Sequence, residues 1–365
     1  MNPSVSLYLD ILRIAAALTV FLSHVGHGHL VGGVLWRFTY WGHEAVIVFF
    51  VLSGYVIAYC ADQREKELAS YVSARLSRLY SIILPVVAIT LMLDLIGGQI
   101  NPSVYEKSID RTLPAWFTYS ASLLMLNQSW SLGTHFGSNG AYWSIPYEFW
   151  YYFIFGAATY LKGYRRIIGI AIGSLAAGPN ILILFPFWLL GALSYRIQSH
   201  TVSMIPIGRW LLFLGAALLP LLMLAVDNGQ MKAHSPIQID GWLWNLIVAA
   251  CTSVTIILLP PAYNPPTASA LANRARKWIQ HLADSTFALY LLHLPVLGFI
   301  SAVISENRGV FAKVAYLTFP IVVAVTLGHR MERLKRPMRR WLDRPLGKLC
   351  TKHRRLCSVP TEEVS

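Results

Sequence analysis

Three ionisable side chains interrupt the first apolar segment of the chain: Asp10, Arg13 and His24. Ionisable groups inside a membrane span are rare and usually functional, because hydrocarbon cannot solvate them. On a helix, Arg13 and His24 share one face, and Asp10 lies one turn before Arg13. A neutral imidazole there suits general-base catalysis near pH 7, although a packed structural histidine is an equally open interpretation. Arg13 and His24 lie about 16 Å apart along the helix axis, so this face suits a long ligand.

A second group is the arginine pair Arg75 and Arg78, which occurs in the segment RLSR before an apolar run. A spacing of three residues puts both guanidinium groups on one helix face. Guanidinium groups bind phosphate oxygens through paired hydrogen bonds, so the pair suits the phosphates of a nucleotide-bearing donor such as coenzyme A. Arginines that mark the cytoplasmic end of a span are the alternative interpretation.

A hydroxyl and a carboxylate occur four residues apart in the segment WSIPYEF, where Ser144 and Glu148 share a helix face. A carboxylate inside a span needs a partner, which makes Glu148 a candidate functional residue. The neighbouring Trp143 is typical of the aromatic belts at membrane interfaces. His293 and Glu44 are isolated polar residues of two further apolar segments, and each alone is more commonly structural.

Several other catalytic signatures are absent from the sequence. The four cysteines lack the spacing of metal ligands, and no P-loop, dinucleotide-binding glycine pattern or GxSxG motif occurs. The sequence therefore predicts neither a bound metal nor a serine nucleophile.

The candidate groups must be positioned by helices that cross a lipid bilayer. Of the 365 residues, 55% are hydrophobic and 13% are charged, which is far more apolar than a soluble domain. Hydropathy predicts an all-α, polytopic membrane protein with about ten transmembrane helices. The predicted spans cover residues 8–28, 44–61, 79–97, 143–161, 167–178, 181–195, 210–226, 242–260, 285–304 and 312–329.

Basic residues are distributed unevenly between the predicted loops. With the N-terminus in the cytoplasm, 23 of the 30 Lys and Arg residues fall on the cytoplasmic side and five on the other side. The positive-inside rule therefore predicts that both termini are cytoplasmic. The net charge of +13 follows from this topology and gives no reason to expect a nucleic-acid partner. Residues 1–330 are predicted as the membrane domain, and residues 331–365 as a basic cytoplasmic tail on anionic lipid headgroups.

Five segments, taken in order, resemble the acyltransferase 3 family of bacterial integral-membrane proteins that O-acylate cell-surface carbohydrates. The segments are LDILRIAAALTVFLSH, FFVLSGY, RLSR, WSIPYEF and STFALYLLHLP, and they extend over about residues 5–330. The resemblance implies transfer of an acyl group, expected to be acetyl, from cytoplasmic acyl-CoA to a hydroxyl of a cell-surface or lipid-linked carbohydrate such as exopolysaccharide or O-antigen. It also implies location in the bacterial inner membrane and no metal.

The resemblance assigns roles to nine residues, which are three catalytic groups (His24, Glu148, Ser144), three donor-binding arginines (Arg13, Arg75, Arg78) and three acceptor contacts (Trp143, Glu44, His293). The donor's arm is expected to extend along the first helix toward His24, with direct transfer or an acyl-histidine intermediate. Many members carry an acidic residue at the position of Ile47, and Glu44 lies one turn earlier. A transporter or flippase for a lipid-linked glycan and a membrane scaffold are the alternatives.

Overall fold

The structure is a computed structural model that describes residues 2–27, 31, 35–109, 111–199, 206–226, 239–259, 270–304 and 309–357. These residues form α-helices, two short 3-10 helices and connecting turns, with no strand among them. The helices are α1 (Pro3–His27), α2 (Gly42–Gln63), α3 (Leu68–Ile100), α4 (Pro102–Ser108), α5 (Ala115–Leu123), α6 (Ser144–Tyr160), α7 (Gly163–Ala177), α8 (Pro179–Leu182), α9 (Phe185–Ser199), α10 (Pro206–Val226), α11 (Ile239–Leu258), α12 (Ala270–Ile304) and α13 (Val310–Cys357).

Within the described part of the chain, seven helical segments are long and apolar enough to cross a membrane. They are Pro3–Gly26, Gly42–Gln63, Leu68–Ile100, Pro179–Gln198, Gly241–Leu258, Leu271–Ile304 and Val310–Arg344. The predicted class, an all-helical polytopic membrane protein, is therefore confirmed. Each of the ten predicted spans overlaps a helix. Helices α6 and α7 have only 17 and 15 residues, so the count of ten stays a prediction.

Contacts near the helix ends show that α9, α10 and α11 alternate in direction. Tyr195, near the end of α9, donates a hydrogen bond of 2.6 Å to Asp62 near the end of α2. Gln198 of α9 donates to a carbonyl near the end of α11 at 2.7 Å, and Arg209 at the start of α10 donates to another at 2.9 Å. The ends of α2, α9 and α11 therefore lie together with the starts of α3 and α10. We call this end of the bundle, where α3 and α10 begin, its N-terminal end.

Helix α2 packs against α1, α9 and α11, and it meets α9 through glycines. A Cβ atom at Gly54 of α2 would overlap the carbonyl of Trp188, and a Cβ atom at Gly191 of α9 would overlap the carbonyl of Val51. Small residues let membrane helices approach closely, because van der Waals packing rather than hydrophobic exclusion drives their association. The two glycines therefore bring the backbones of α2 and α9 into contact.

Three helices are longer than the membrane requires. Helices α3, α12 and α13 have 33, 35 and 48 residues, whereas about 20 residues cross the hydrocarbon core. Helix α12 packs against α1, α3 and α13, and α13 also packs against α3. Helix α13 continues as one helix past residue 330, so part of the predicted tail extends the wall that α13 forms with α3.

Candidate active site

A cavity of about 420 Å³ lies between α1, α2, α3, α6, α12 and α13. Its volume falls within the range of about 300–1,000 Å³ that is typical of small-molecule sites. The lining is mainly apolar along α2. Its polar or charged side chains are Arg13, Ser53, Arg64, Glu65, Arg75, Arg78, Ser144, Glu148, Tyr152, Thr286, Tyr290, Lys335 and Arg339. The three arginines predicted to bind the donor therefore face one cavity, together with Ser144 and Glu148.

Of these three arginines, Arg75 has the closest acidic partner. Its guanidinium group donates to Glu65 at 2.5 Å, and the two side chains are only 10% and 6% exposed. The rings of Tyr71 and Tyr152 lie 5.5 and 5.8 Å from its guanidinium carbon. Because a buried charge needs a close partner, this ion pair holds Arg75 at the cavity wall.

Arg78 and Arg13 have looser partners. The Arg78 guanidinium lies 3.7 Å from the Glu332 carboxylate, and that of Arg13 lies 3.5 Å from Asp10. Both distances exceed the roughly 2.7–2.9 Å of a strong charge-assisted hydrogen bond. These two guanidinium groups can therefore engage an anion with little rearrangement.

The carboxylate of Glu148 has two hydroxyl partners. Its Oε1 accepts a hydrogen bond of 2.7 Å from Ser53 and another from Tyr152. Trp188 in turn donates to the Ser53 hydroxyl at 3.2 Å. Sequence reasoning did not find these partners, although Ser53 belongs to the FFVLSGY segment beside Gly54 and Tyr152 lies one turn after Glu148.

Ser144 begins a series of polar side chains that leads away from the cavity to two histidines. The Ser144 hydroxyl lies 2.7 Å from that of Tyr290, and the Tyr290 ring lies 6.2 Å from the ring of His293. His293 Nε2 lies 3.2 Å from His24 Nδ1. The structure thus brings together His24 and His293, and Tyr290 stands between them and the cavity.

Hydrogen-bond partners assign the neutral tautomers of both histidines. His293 Nδ1 lies 3.0 Å from the carbonyl of Leu289, which can only accept, so Nδ1 carries the proton and Nε2 is an acceptor. His24 Nδ1 lies 2.9 Å from the carbonyl of Val20 and faces the Nε2 lone pair of His293. His24 Nδ1 therefore carries its proton, and Nε2 carries the lone pair that a general base needs.

The cavity does not follow α1 between Arg13 and His24. Ala17 and Val20, which lie between them on the same face, are 1% and 2% exposed and pack into the core. The lining instead follows α2 from Arg64 to Val46, a distance of about 27 Å at 1.5 Å per residue. The expected path for the donor's arm beside α1 therefore stays a prediction, and this cavity offers a second path along α2.

Trp143 and Glu44 lie at the opposite end of the bundle from Arg75 and are not among the cavity-lining residues. The Trp143 ring stacks on that of His43, with centroids 5.7 Å apart and an interplanar angle of 10°. The Glu44 carboxylate accepts a hydrogen bond of 2.9 Å from Trp244 of α11. Trp143 and Glu44 are therefore close to one another through His43.

Within the described ranges, no group of three or more His, Cys, Asp or Glu side chains is arranged to hold a metal ion.

Comparison with known proteins gives two curated relatives. Residues of this chain are 30% identical over 194 positions to the "O-acetyl transferase" of Shigella phage Sf6, covering 49% of this chain and 56% of the phage protein. They are 27% identical over 327 positions to "Acyltransferase MdmB" of Streptomyces mycarofaciens, covering 79% and 78% of the two chains. No solved structure matches this chain.

The acyltransferase 3 family model, described as an acyltransferase domain, matches residues 6–329. This match covers nearly all of the described membrane helices and includes every one of the nine predicted site residues. It confirms the resemblance found in the sequence and the predicted enzyme class. The chain therefore belongs to the acyltransferase 3 family.

Proposed function

We propose that this protein transfers an acetyl group from cytoplasmic acetyl-CoA to a hydroxyl of a cell-surface or lipid-linked carbohydrate. The observation that carries the proposal is one cavity with arginines at the N-terminal end and Ser144 and Tyr290 toward the histidine pair. Such a cavity accepts a long donor with anionic and thioester ends. The name "O-acetyl transferase" of the phage relative supports acetyl as the group and an oxygen as the acceptor.

The proposed topology has ten spans with both termini in the cytoplasm of a bacterium, in its inner membrane. The alternating directions of α9, α10 and α11 support the inclusion of α10 as a span. Helices α6 and α7 pack against each other and complete the ten. In this orientation the N-terminal end of the bundle is cytoplasmic, which puts the cavity arginines on the side where acetyl-CoA is available.

In the proposed donor complex, the phosphates bind Arg78 and Arg13, while Arg75 holds the wall beside them. The pantetheine arm extends along α2, where apolar side chains line the cavity. The length of this lining, about 27 Å, matches an extended donor whose thioester ends near Tyr290. Glu148 orients the hydroxyl groups around the arm through Ser53 and Tyr152.

We favour direct transfer over an acyl-histidine intermediate. His24 Nε2 removes the proton of the acceptor hydroxyl while the hydroxyl oxygen attacks the thioester carbonyl. The hydroxyl of Tyr290 or Ser144 donates to the carbonyl oxygen as it becomes negative. The carbon–sulfur bond breaks, and the imidazolium returns its proton to the thiolate, so the products are the ester, free coenzyme A and neutral His24.

Two features shape the acceptor side of this proposal. Tyr290 separates the cavity from the histidine pair, so the thioester and His24 meet only when the Tyr290 side chain turns aside. The carbohydrate enters from the end opposite the arginines, where Trp143 offers an aromatic ring for a sugar and Glu44 a carboxylate for its hydroxyls. His293 holds the tautomer of His24.

The test is transfer of labelled acetyl from acetyl-CoA to a surface-glycan extract by purified protein in detergent. We expect ester-linked label in the glycan, its loss in His24→Ala, and its retention in His281→Ala, a matched histidine twelve residues before His293 on α12. Undiminished transfer in His24→Ala would contradict the catalytic assignment. Glycan transport into vesicles without ester formation would instead support the transporter.

The donor site is tested separately by titration calorimetry without acceptor. Arg78→Ala is expected to weaken coenzyme A binding by about tenfold or more, because charge-assisted hydrogen bonds contribute about 1.5–3 kcal/mol. An affinity equal to that of the wild type would refute the assignment of Arg78 to the donor phosphates.

A further inference from the structure

The extension of α13 beyond the family match forms part of the cavity wall. The match ends at residue 329, whereas α13 continues to Cys357. Glu332, Lys335 and Arg339 follow a spacing of three and four residues, so they lie on one face of this extension. Both Lys335 and Arg339 line the cavity. These residues belong to the segment whose composition alone indicates a basic tail.

Contacts with α3 show how deep in the bundle the residues on this face of α13 lie. Arg339 donates to the hydroxyl of Ser70, in the first turn of α3, at 3.1 Å. Glu332 lies 3.7 Å from Arg78, eight residues further along α3. The two contacts are therefore about 12 Å apart along the α3 axis. Arg339 therefore lies at the mouth of the cavity and Arg78 lies deeper. Lys335 lies between these two depths.

Positive charge exceeds negative charge in this cavity. Six basic and two acidic side chains line it, an excess of four positive charges. Glu65 is engaged by Arg75, and Glu148 accepts hydrogen bonds from two hydroxyls. Lys335, which is half-buried, has no hydrogen bond or ion pair among the residues that the structure describes. Cations removed from bulk water without partners are costly, so the cavity is suited to a ligand with several negative charges.

The order of these charges matches a donor with two separate anionic groups. Coenzyme A carries a diphosphate next to the pantetheine arm and a phosphate monoester on the ribose beyond it. A phosphate monoester carries a charge of about −1.5 to −2 near pH 7. With the thioester deep in the cavity, the diphosphate lies at the depth of Arg78 and the monoester at the mouth.

We propose that Lys335 and Arg339 form a subsite for the ribose phosphate monoester of coenzyme A, while the diphosphate displaces Glu332 from Arg78. This inference rests on the proposed function, because it specifies how the same donor is held. It assigns donor recognition to two residues outside the part of the chain that the family match covers.

The test compares coenzyme A with 3′-dephospho-coenzyme A by titration calorimetry of full-length protein in neutral detergent. The wild type is expected to bind coenzyme A about tenfold or more tightly than the dephospho form, because two charge-assisted contacts are lost. In Lys335→Ala/Arg339→Ala, coenzyme A affinity should fall to that of the dephospho form, whose own affinity should not change. Lys335→Arg/Arg339→Lys should retain the preference.

The matched control is Arg336→Ala/Arg340→Ala, which removes the same charge from an exposed face of the same helix. It should keep the wild-type preference, and equal thermal unfolding midpoints for the two double variants would show that both fold. Equal binding of both ligands by the wild type, or a preference that survives in Lys335→Ala/Arg339→Ala, would overturn the subsite alone. If neither form of coenzyme A binds, the proposed function fails as well.

Anionic lipid is the other source of phosphate near this helix. The same titrations in mixed micelles compare phosphatidylglycerol with phosphatidylcholine. Coenzyme A affinity of the wild type is expected to change less than twofold between them. If Lys335→Ala/Arg339→Ala loses only phosphatidylglycerol binding and keeps its coenzyme A affinity, the two residues bind headgroups and the subsite is refuted.

Discussion

Replacing His293 with leucine removes the acceptor that faces the Nδ1 proton of His24. The His293 side chain is fully buried, and its Nε2 lies 3.2 Å from His24 Nδ1. Leucine is apolar and of similar size, so the substitution deletes the hydrogen bond and leaves little empty volume. His24 Nδ1 then keeps the carbonyl of Val20 at 2.9 Å and the Ser23 hydroxyl at 3.5 Å as partners.

The expected loss of rate depends on the hydrogen-bond acceptors that remain for the Nδ1 proton of His24. A single hydrogen bond contributes about 0.5–1.5 kcal/mol, and 1.4 kcal/mol corresponds to a factor of ten in rate. Because the Val20 carbonyl still favours the same tautomer, we expect kcat to fall about tenfold rather than to vanish. The KM for acetyl-CoA should not change, since His293 is not among the residues that line the cavity.

The assay measures initial rates of glycan acetylation at several acetyl-CoA concentrations, with thermal unfolding as a check on folding. His293→Gln, whose amide oxygen restores an acceptor, should recover part of the lost rate. An unchanged kcat in His293→Leu, or a change confined to KM, would refute the positioning role. Equal losses in the glutamine and leucine variants would show that the hydrogen bond is not what matters.

Three further predictions concern two residues of the cavity wall and the contact between α2 and α9. Glu65→Gln should lower the free energy of unfolding by about 3–5 kcal/mol, measured by denaturation in detergent, because it leaves the buried Arg75 charge without its partner. Ser53→Ala should reduce the acetylation rate about tenfold and lower the free energy of unfolding by about 1–3 kcal/mol, because it removes a donor to Glu148 and the acceptor of the buried Trp188. Gly191→Ala should lower the thermal unfolding midpoint, with a cost of about 1–3 kcal/mol, because its Cβ would overlap a carbonyl of α2.

Part of the candidate site could be predicted from the sequence, because the membrane topology puts its three arginines on the same side of the bilayer. Arg13, Arg75 and Arg78 each occur in the first half of a helix, and the loop charges predict that these helices start on one side of the membrane. That they also share one cavity depends on how α1 and α3 pack, which the topology does not give. The Ser144 and Glu148 pair likewise shares a helix face, as its spacing of four residues predicts.

The partners of the buried polar groups were beyond sequence reasoning. Ser53 and Glu148 are 95 residues apart, and His24 and His293 are 269 residues apart. Helical periodicity indicates which residues share a face but not which other helix that face meets. That choice depends on the packing of the whole bundle, including the glycine contact between α2 and α9.

Helix lengths were underestimated for a related reason. Hydropathy detects where a helix meets lipid, and it predicts spans that start at residues 79 and 285. The polar turns that precede them are also helical, so α3 starts at Leu68 and α12 at Ala270. The same limit applies to α13, whose basic turns after residue 329 carry two of the cavity cations.

An enzyme that joins two compartments must not become a leak between them. Along α1, Ala17 and Val20 lie between Arg13 and His24, and both are buried and absent from the lining of the cavity. On the other side, Tyr290 stands between the cavity and the histidines. In the proposed reaction, only a small acyl unit needs to pass this point, while its carrier stays on one side and the sugar on the other. The bilayer can thus keep its ion gradients while the chemistry proceeds across it.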